Sequence, residues 1–152
     1  MAVEVDVVRA LEVPTRLVHG PGAARSIAEA LRELGVERPL VVTDPGVAAA
    51  GLLDRIVEHL DEHLVFEEVR PNPDIALVDR GAEIFRDSDR DGLVALGGGS
   101  SIDTAKSIGV VAEHGGSILD YEYGRTPLSR RIPPLVAVPT TAGSSSTSAA
   151  RP

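Results

Sequence analysis

The stretch DGLVALGGGSSIDTAKSIGVV, residues 91 to 111, decides the fold. Residues 92 to 96 (GLVAL) are a short apolar run of strand length. From Ser100 to about Glu113 the apolar residues return at helical spacing, and only Gly97, Gly98 and Gly99 separate the two patterns. A buried strand that passes through glycines directly into a helix is the building unit of α/β proteins. Glycines at such a corner can take positive φ and admit a ligand close to the backbone, while the first N–H groups of the helix carry the positive end of its dipole. A pyrophosphate fits this cradle; a tight strand-to-helix turn without a ligand is the competing reading. Ser100 and Asp103 stand at capping-box spacing, so the serine is expected to cap the helix and the aspartate to reach back to its amide. The string is neither GxGxxG nor a Walker A loop, because no second glycine-lysine pair follows.

Strand and helix patterns alternate outward from this corner. Ala24, Ile27, Ala28, Leu31 and Leu34 have helical spacing, with Gly35 as a stop, and PLVVT (39 to 43) reads as a short buried strand closed by the turn residues Asp44-Pro45-Gly46. A single helix is predicted from Val47 to His63, a strand from Leu64 to Val69, punctuation at PNPD (71 to 74), and a helix from about Asp74 to Asp87. After a polar connection at 115 to 134, LVAV (135 to 138) is the last strand. The expected fold is therefore α/β, a Rossmann-like, doubly wound, mostly parallel sheet with helices on both faces. Its ligand crevice should lie beyond the carboxyl ends of the strands. Val3 to Val18 mixes β-branched residues with charges and holds Pro14, which suggests an edge hairpin. Residues 1–140 are expected to form one domain, and 141–152, rich in Ser, Thr and Ala, a disordered tail.

The 152 residues suit one domain, and with 43% hydrophobic but only 3% aromatic residues the core must be aliphatic, as in covered parallel sheets. The absence of cysteine removes disulfides, thiolate metal sites and thiol catalysis. A net charge of −8 opposes a nucleic-acid surface. Charges at Glu4, Asp6, Arg9 and Glu12 interrupt any leader or membrane span at the start, so a soluble, cytoplasmic protein is expected.

Several side chains stand where chemistry is possible. Asp44 follows a buried strand, where a carboxylate can accept from ribose hydroxyls and repel the extra phosphate of NADP; an Asp-Pro-Gly turn is the plainer reading. Asn72 in PNP has the same two readings. Gly20 and Gly22 precede a helix, yet the proline-bearing segment before them favours a turn over a second cradle. His59 and His63 share one face of the predicted 47–63 helix at metal-binding spacing, but Leu60 stands where a zinc-protease motif needs Glu, which favours a solvated helix end. Ser100 and Ser101 lack the pattern of a nucleophile elbow.

Four strings in order, VVTDPGV (41 to 47), PNP (71 to 73), GGGSSIDTAK (97 to 106) and VPTTAGS (138 to 144), resemble the iron-containing alcohol dehydrogenase family. The resemblance implies an N-terminal nucleotide-binding domain related to those of glycerol dehydrogenase and dehydroquinate synthase. It implies that Gly98, Gly99 and Ser100 hold the pyrophosphate of a dinucleotide, that Asp44 holds the adenosine ribose and selects NAD over NADP, and that Asn72, Thr140 and Thr141 face the cofactor. Asp103 and Lys106 match the same string, with cap and local ion pair as their roles. Iron or zinc belongs, by the resemblance, to a helical domain of the full-length family form. Where that family continues with a Gly/Ser turn and a Glu, this sequence reads SSTSAARP, with Thr147 near the expected Glu. Binding of NAD without turnover is therefore expected. Two other readings stay open: a non-catalytic module that forms a homodimer through the N-terminal edge segment, and a domain of a phosphate-ester enzyme of another class.

Overall fold

A computed structural model describes residues 15–124 and 126–141. A four-residue 3-10 turn (Ala23–Ser26) leads into α1 (Ile27–Glu33), followed by β1 (Pro39–Val42), α2 (Pro45–Ala49), α3 (Leu52–Val57), β2 (Leu64–Phe66), α4 (Ile75–Asp87), β3 (Gly92–Gly97) and α5 (Gly99–His114). A second 3-10 segment, Ile118–Gly124, precedes β4 (Leu135–Pro139). The four strands form one parallel sheet in the order β2-β1-β3-β4.

The alternation of strand residues sorts the core onto two faces. Leu40, Val42, Leu93 and Ala95 point to one face, where they meet Leu77, Val78, Ala82 and Phe85 of α4 and Ile102, Ala105, Ile108 and Val111 of α5. Val41, Val94 and Leu96 point to the other, against Ile27 and Leu31 of α1, Val47 of α2, and Leu53 and Ile56 of α3. Both central strands are buried along their whole length, which is why their sequences read as unbroken apolar runs. From β1 the chain first moves outward to β2 and then returns to the opposite side of β1 for β3. The reversal between β1 and β3 is a topological switch point, where α/β sheets open a crevice.

The structure corrects three expectations. The single helix over 47–63 is two short helices, separated at Gly51, whose φ of 74° is left-handed. Asp44-Pro45-Gly46 is not a free turn but the start of α2: Pro45 occupies the first helical turn and the Asp44 carboxylate accepts from the Val47 amide at 3.0 Å. The second strand stops at Phe66 rather than Val69; beyond it Glu67, Glu68 and Arg70 are exposed, while Val69 stays in the core with its amide donating to the Thr43 carbonyl at 3.2 Å. The N-terminal edge hairpin lies mostly outside the described residues; Thr15 to Val18 have neither strand nor helix. Residues 142–152 of the expected tail also lie outside them. Among the described residues no helix is long and apolar enough to cross a membrane.

Candidate functional site

At the carboxyl end of the sheet, the ends of β1, β2, β3 and β4 and the first turn of α5 line an open crevice of about 1000 Å³. Asp44 lines one wall and Gly98, Gly99, Ser100 and Ser101 another, with Glu67 to Pro71 and Thr140 and Thr141 at the rim. Hydrogen bonds of the backbone and of one buried side chain fix these pieces to each other. Thr43, fully buried, donates its hydroxyl to the Leu96 carbonyl at 2.8 Å and its amide to the Phe66 carbonyl at 2.9 Å. The residue before Asp44 is thereby tied to both neighbouring strands. Past β4, the Thr140 amide donates to the Gly97 carbonyl at 2.9 Å and holds the exposed Thr140 and Thr141 beside the glycine corner.

The helix that opens on this crevice has no side-chain cap. Its N-cap is Gly98, in extended conformation, and the first backbone bond at this end is Ile102 N–H to the Gly98 carbonyl at 3.2 Å. The capping box expected from Ser100 and Asp103 is not formed: the N-cap is Gly98, two residues earlier, which puts Ser100 inside the first turn. The N–H groups of that turn are left to other acceptors. Gly97 has φ 145°, and a Cβ there would lie 2.5 Å from Ser101 Oγ and 3.2 Å from Asp44 Oδ2. It sits behind the crevice lining, packed against the residues that form it.

The structure brings together Asp44, Gly98, Gly99, Ser100, Thr140 and Thr141 around one cavity, with Gly97 beneath them. Asn72 does not line it; it stands just beyond Pro71 with a left-handed φ of 54°, as suits a turn. Asp103 is exposed, and Lys106, one turn further along α5, is half-buried. Burial pulls the Lys106 ammonium below its usual value, and the charge of Asp103 opposes that shift. His59 lies in the turn after α3 and His63 immediately before β2, so the shared helical face expected for them does not exist. Among the described residues there is no group of three or more His, Cys, Asp or Glu side chains that could hold a metal ion. Sequence reasoning missed Ser101, Thr43 and the 67–70 rim; their signal is positional and appears only once the true ends of β2 and α5 are known.

The family model for iron-containing alcohol dehydrogenase matches residues 14–150. Choline dehydrogenase of Bacillus subtilis is 50% identical over 141 residues, 89% of this chain and 35% of its own length. The NAD-dependent methanol dehydrogenase of Bacillus methanolicus is 36% identical over 138 residues, 88% of this chain and 36% of its own. Among solved structures, sulfoacetaldehyde reductase from Bifidobacterium kashiwanohense in complex with NAD+ superposes with a TM-score of 0.83 at 30% identity, covering 90% of this chain and 37% of that one. The chain thus spans about a third of the length of these relatives.

Proposed function

The chain belongs to the iron-containing alcohol dehydrogenase family, and from that premise we propose that residues 1–140 form a domain that binds NAD, in preference to NADP, for a protein that interconverts an alcohol and a carbonyl compound. The observation that carries this reading is the uncapped start of α5, facing a crevice at the switch point of the sheet. A pyrophosphate supplies the acceptors that the first-turn N–H groups lack, and Gly98 and Gly99 let it reach the backbone. A cavity of about 1000 Å³ has room for a dinucleotide. In this arrangement Asp44 takes the adenosine ribose with the carboxylate oxygen that does not cap α2, and the same charge disfavours a 2′-phosphate. Thr140 and Thr141 close the rim over the pyrophosphate, and Asn72 shapes the turn at the far end.

Bound NAD supplies the hydride acceptor; what the described residues contribute is binding, orientation and a choice between dinucleotides. The described residues do not fit the family's metal, because they bring no three His, Cys, Asp or Glu side chains together. Calorimetric titration of the chain with NAD, NADP and a simple phosphate ester tests the reading. NAD should bind more tightly than NADP. No binding of either dinucleotide at millimolar concentration, or binding of the ester alone, overturns it.

A further inference from the structure

Asp44 divides its carboxylate between two tasks. Oδ1 accepts from the Val47 amide at 3.0 Å and is committed to starting α2. Oδ2 looks toward the glycine corner, where its partner within the protein is Ser101, whose Oγ donates to it across 3.5 Å. Ser101 is the third residue of α5 and is 1% exposed, so its hydroxyl cannot exchange this carboxylate freely for bulk water. At 3.5 Å the contact is longer than an ordinary O–H···O bond, so it orients the carboxylate loosely and leaves Oδ2 with lone-pair capacity for a ligand. The gap it crosses exists because residue 97 has no side chain: a Cβ there would stand 2.5 Å from the hydroxyl and 3.2 Å from Oδ2.

We propose that Ser101 is a positioning residue for Asp44, holding Oδ2 toward the crevice so that it meets the ribose, and thereby linking the pyrophosphate end of the site to the ribose end. The inference rests on the NAD-binding reading above. It predicts that loss of the hydroxyl weakens NAD and does not weaken NADP, because a correctly aimed carboxylate favours a free 2′-hydroxyl and opposes a 2′-phosphate.

The test is a double-mutant cycle on the chain by calorimetric titration with NAD and NADP. Asp44→Asn is the second arm, since asparagine keeps the oxygen that caps α2. Ser101→Ala should weaken NAD three- to tenfold without weakening NADP, so that the preference between them falls by at least the same factor. Ser101→Cys, nearly the same size and a poorer donor, should fall between. In the Asp44→Asn background, Ser101→Ala should change neither nucleotide. Urea unfolding of each variant reports whether the fold is intact. Equal weakening of both nucleotides, or an unchanged loss in the Asp44→Asn background, overturns the role of Ser101 while the NAD reading stands. Failure of the unmodified chain to bind NAD removes both.

Discussion

Gly81 of α4 stands against Ile108 of α5 so closely that a Cβ built on the glycine would lie 2.3 Å from the isoleucine Cδ1 and 2.7 Å from its Cγ1. The glycine is what lets the two helices share one face of the sheet. Gly81→Ala gains about 1 kcal/mol of helix propensity but overpacks a buried contact at a cost of about 1–3 kcal/mol, for a net loss of stability. Ile108→Val removes the nearest atom. On its own it should destabilise by about 1 kcal/mol, and in the Gly81→Ala background it should stabilise. Denaturant midpoints of the four proteins measure both; an Ile108→Val effect of the same sign in both backgrounds contradicts the contact.

Gly97 faces two obstacles at once, a φ of 145° and the lack of room beside Ser101. Gly97→Ala should cost about 2–4 kcal/mol in strain and overpacking, seen as a lowered unfolding midpoint. In whatever fraction stays folded, nucleotide binding should be lost. Full stability with normal titration would show that the corner tolerates a side chain.

Asp44→Ala and Asp44→Asn separate the folding and binding tasks of one side chain. The alanine variant should lose about 1 kcal/mol of stability with the α2 cap, whereas the asparagine variant keeps an acceptor and should lose less. Both should bind NAD more weakly than the unmodified chain and discriminate less against NADP. Thermal unfolding and calorimetric titration of the same samples give the two readouts; an asparagine variant that retains full preference for NAD refutes the role of the charge.

Lys106 makes stability depend on alkaline pH. Burial holds its folded-state value below the ordinary 10.5, so between those two values the unfolded chain binds more protons than the folded one. Stability from this group therefore rises as pH climbs from the folded value to 10.5, and below that window the penalty is constant. Lys106→Met should remove this rise. Urea unfolding at a series of alkaline pH values, compared between the two proteins, checks the sign; a stability difference that does not change with pH counts against it.

The parallel sheet was readable in the sequence because β1 and β3 are buried on both faces, which leaves no polar residue to interrupt PLVV or GLVALG. The positions of the glycine corner and of Asp44 at strand ends were readable for the same reason, since the corner closes one such run and Asp44 stands one residue past the other, after Thr43. What escaped was set by contacts that local pattern does not carry. The apolar spacing from Leu52 to Leu60 gives no sign that Gly51 ends one helix before it, and Asp-Pro-Gly suits the first turn of a helix as well as a loop. The expected cap, Ser100, lies two residues past the true one, Gly98, and local pattern presents Ser101 only to be weighed as a nucleophile and not as a neighbour of Asp44. The Ser101 contact with Asp44 spans 57 positions, and no periodicity reports on such a pair.

The shared carboxylate of Asp44 also limits how cofactor preference can change over time. A substitution there that admits a 2′-phosphate keeps the start of α2 only if the new residue can still cap it, as asparagine or serine can, so the direct evolutionary route to NADP is confined to a few residue types. Ser101 and the exposed rim residues Glu67 and Arg70 carry no such double duty in the cap. Drift in dinucleotide choice within a lineage should begin at those neighbours and reach the aspartate last.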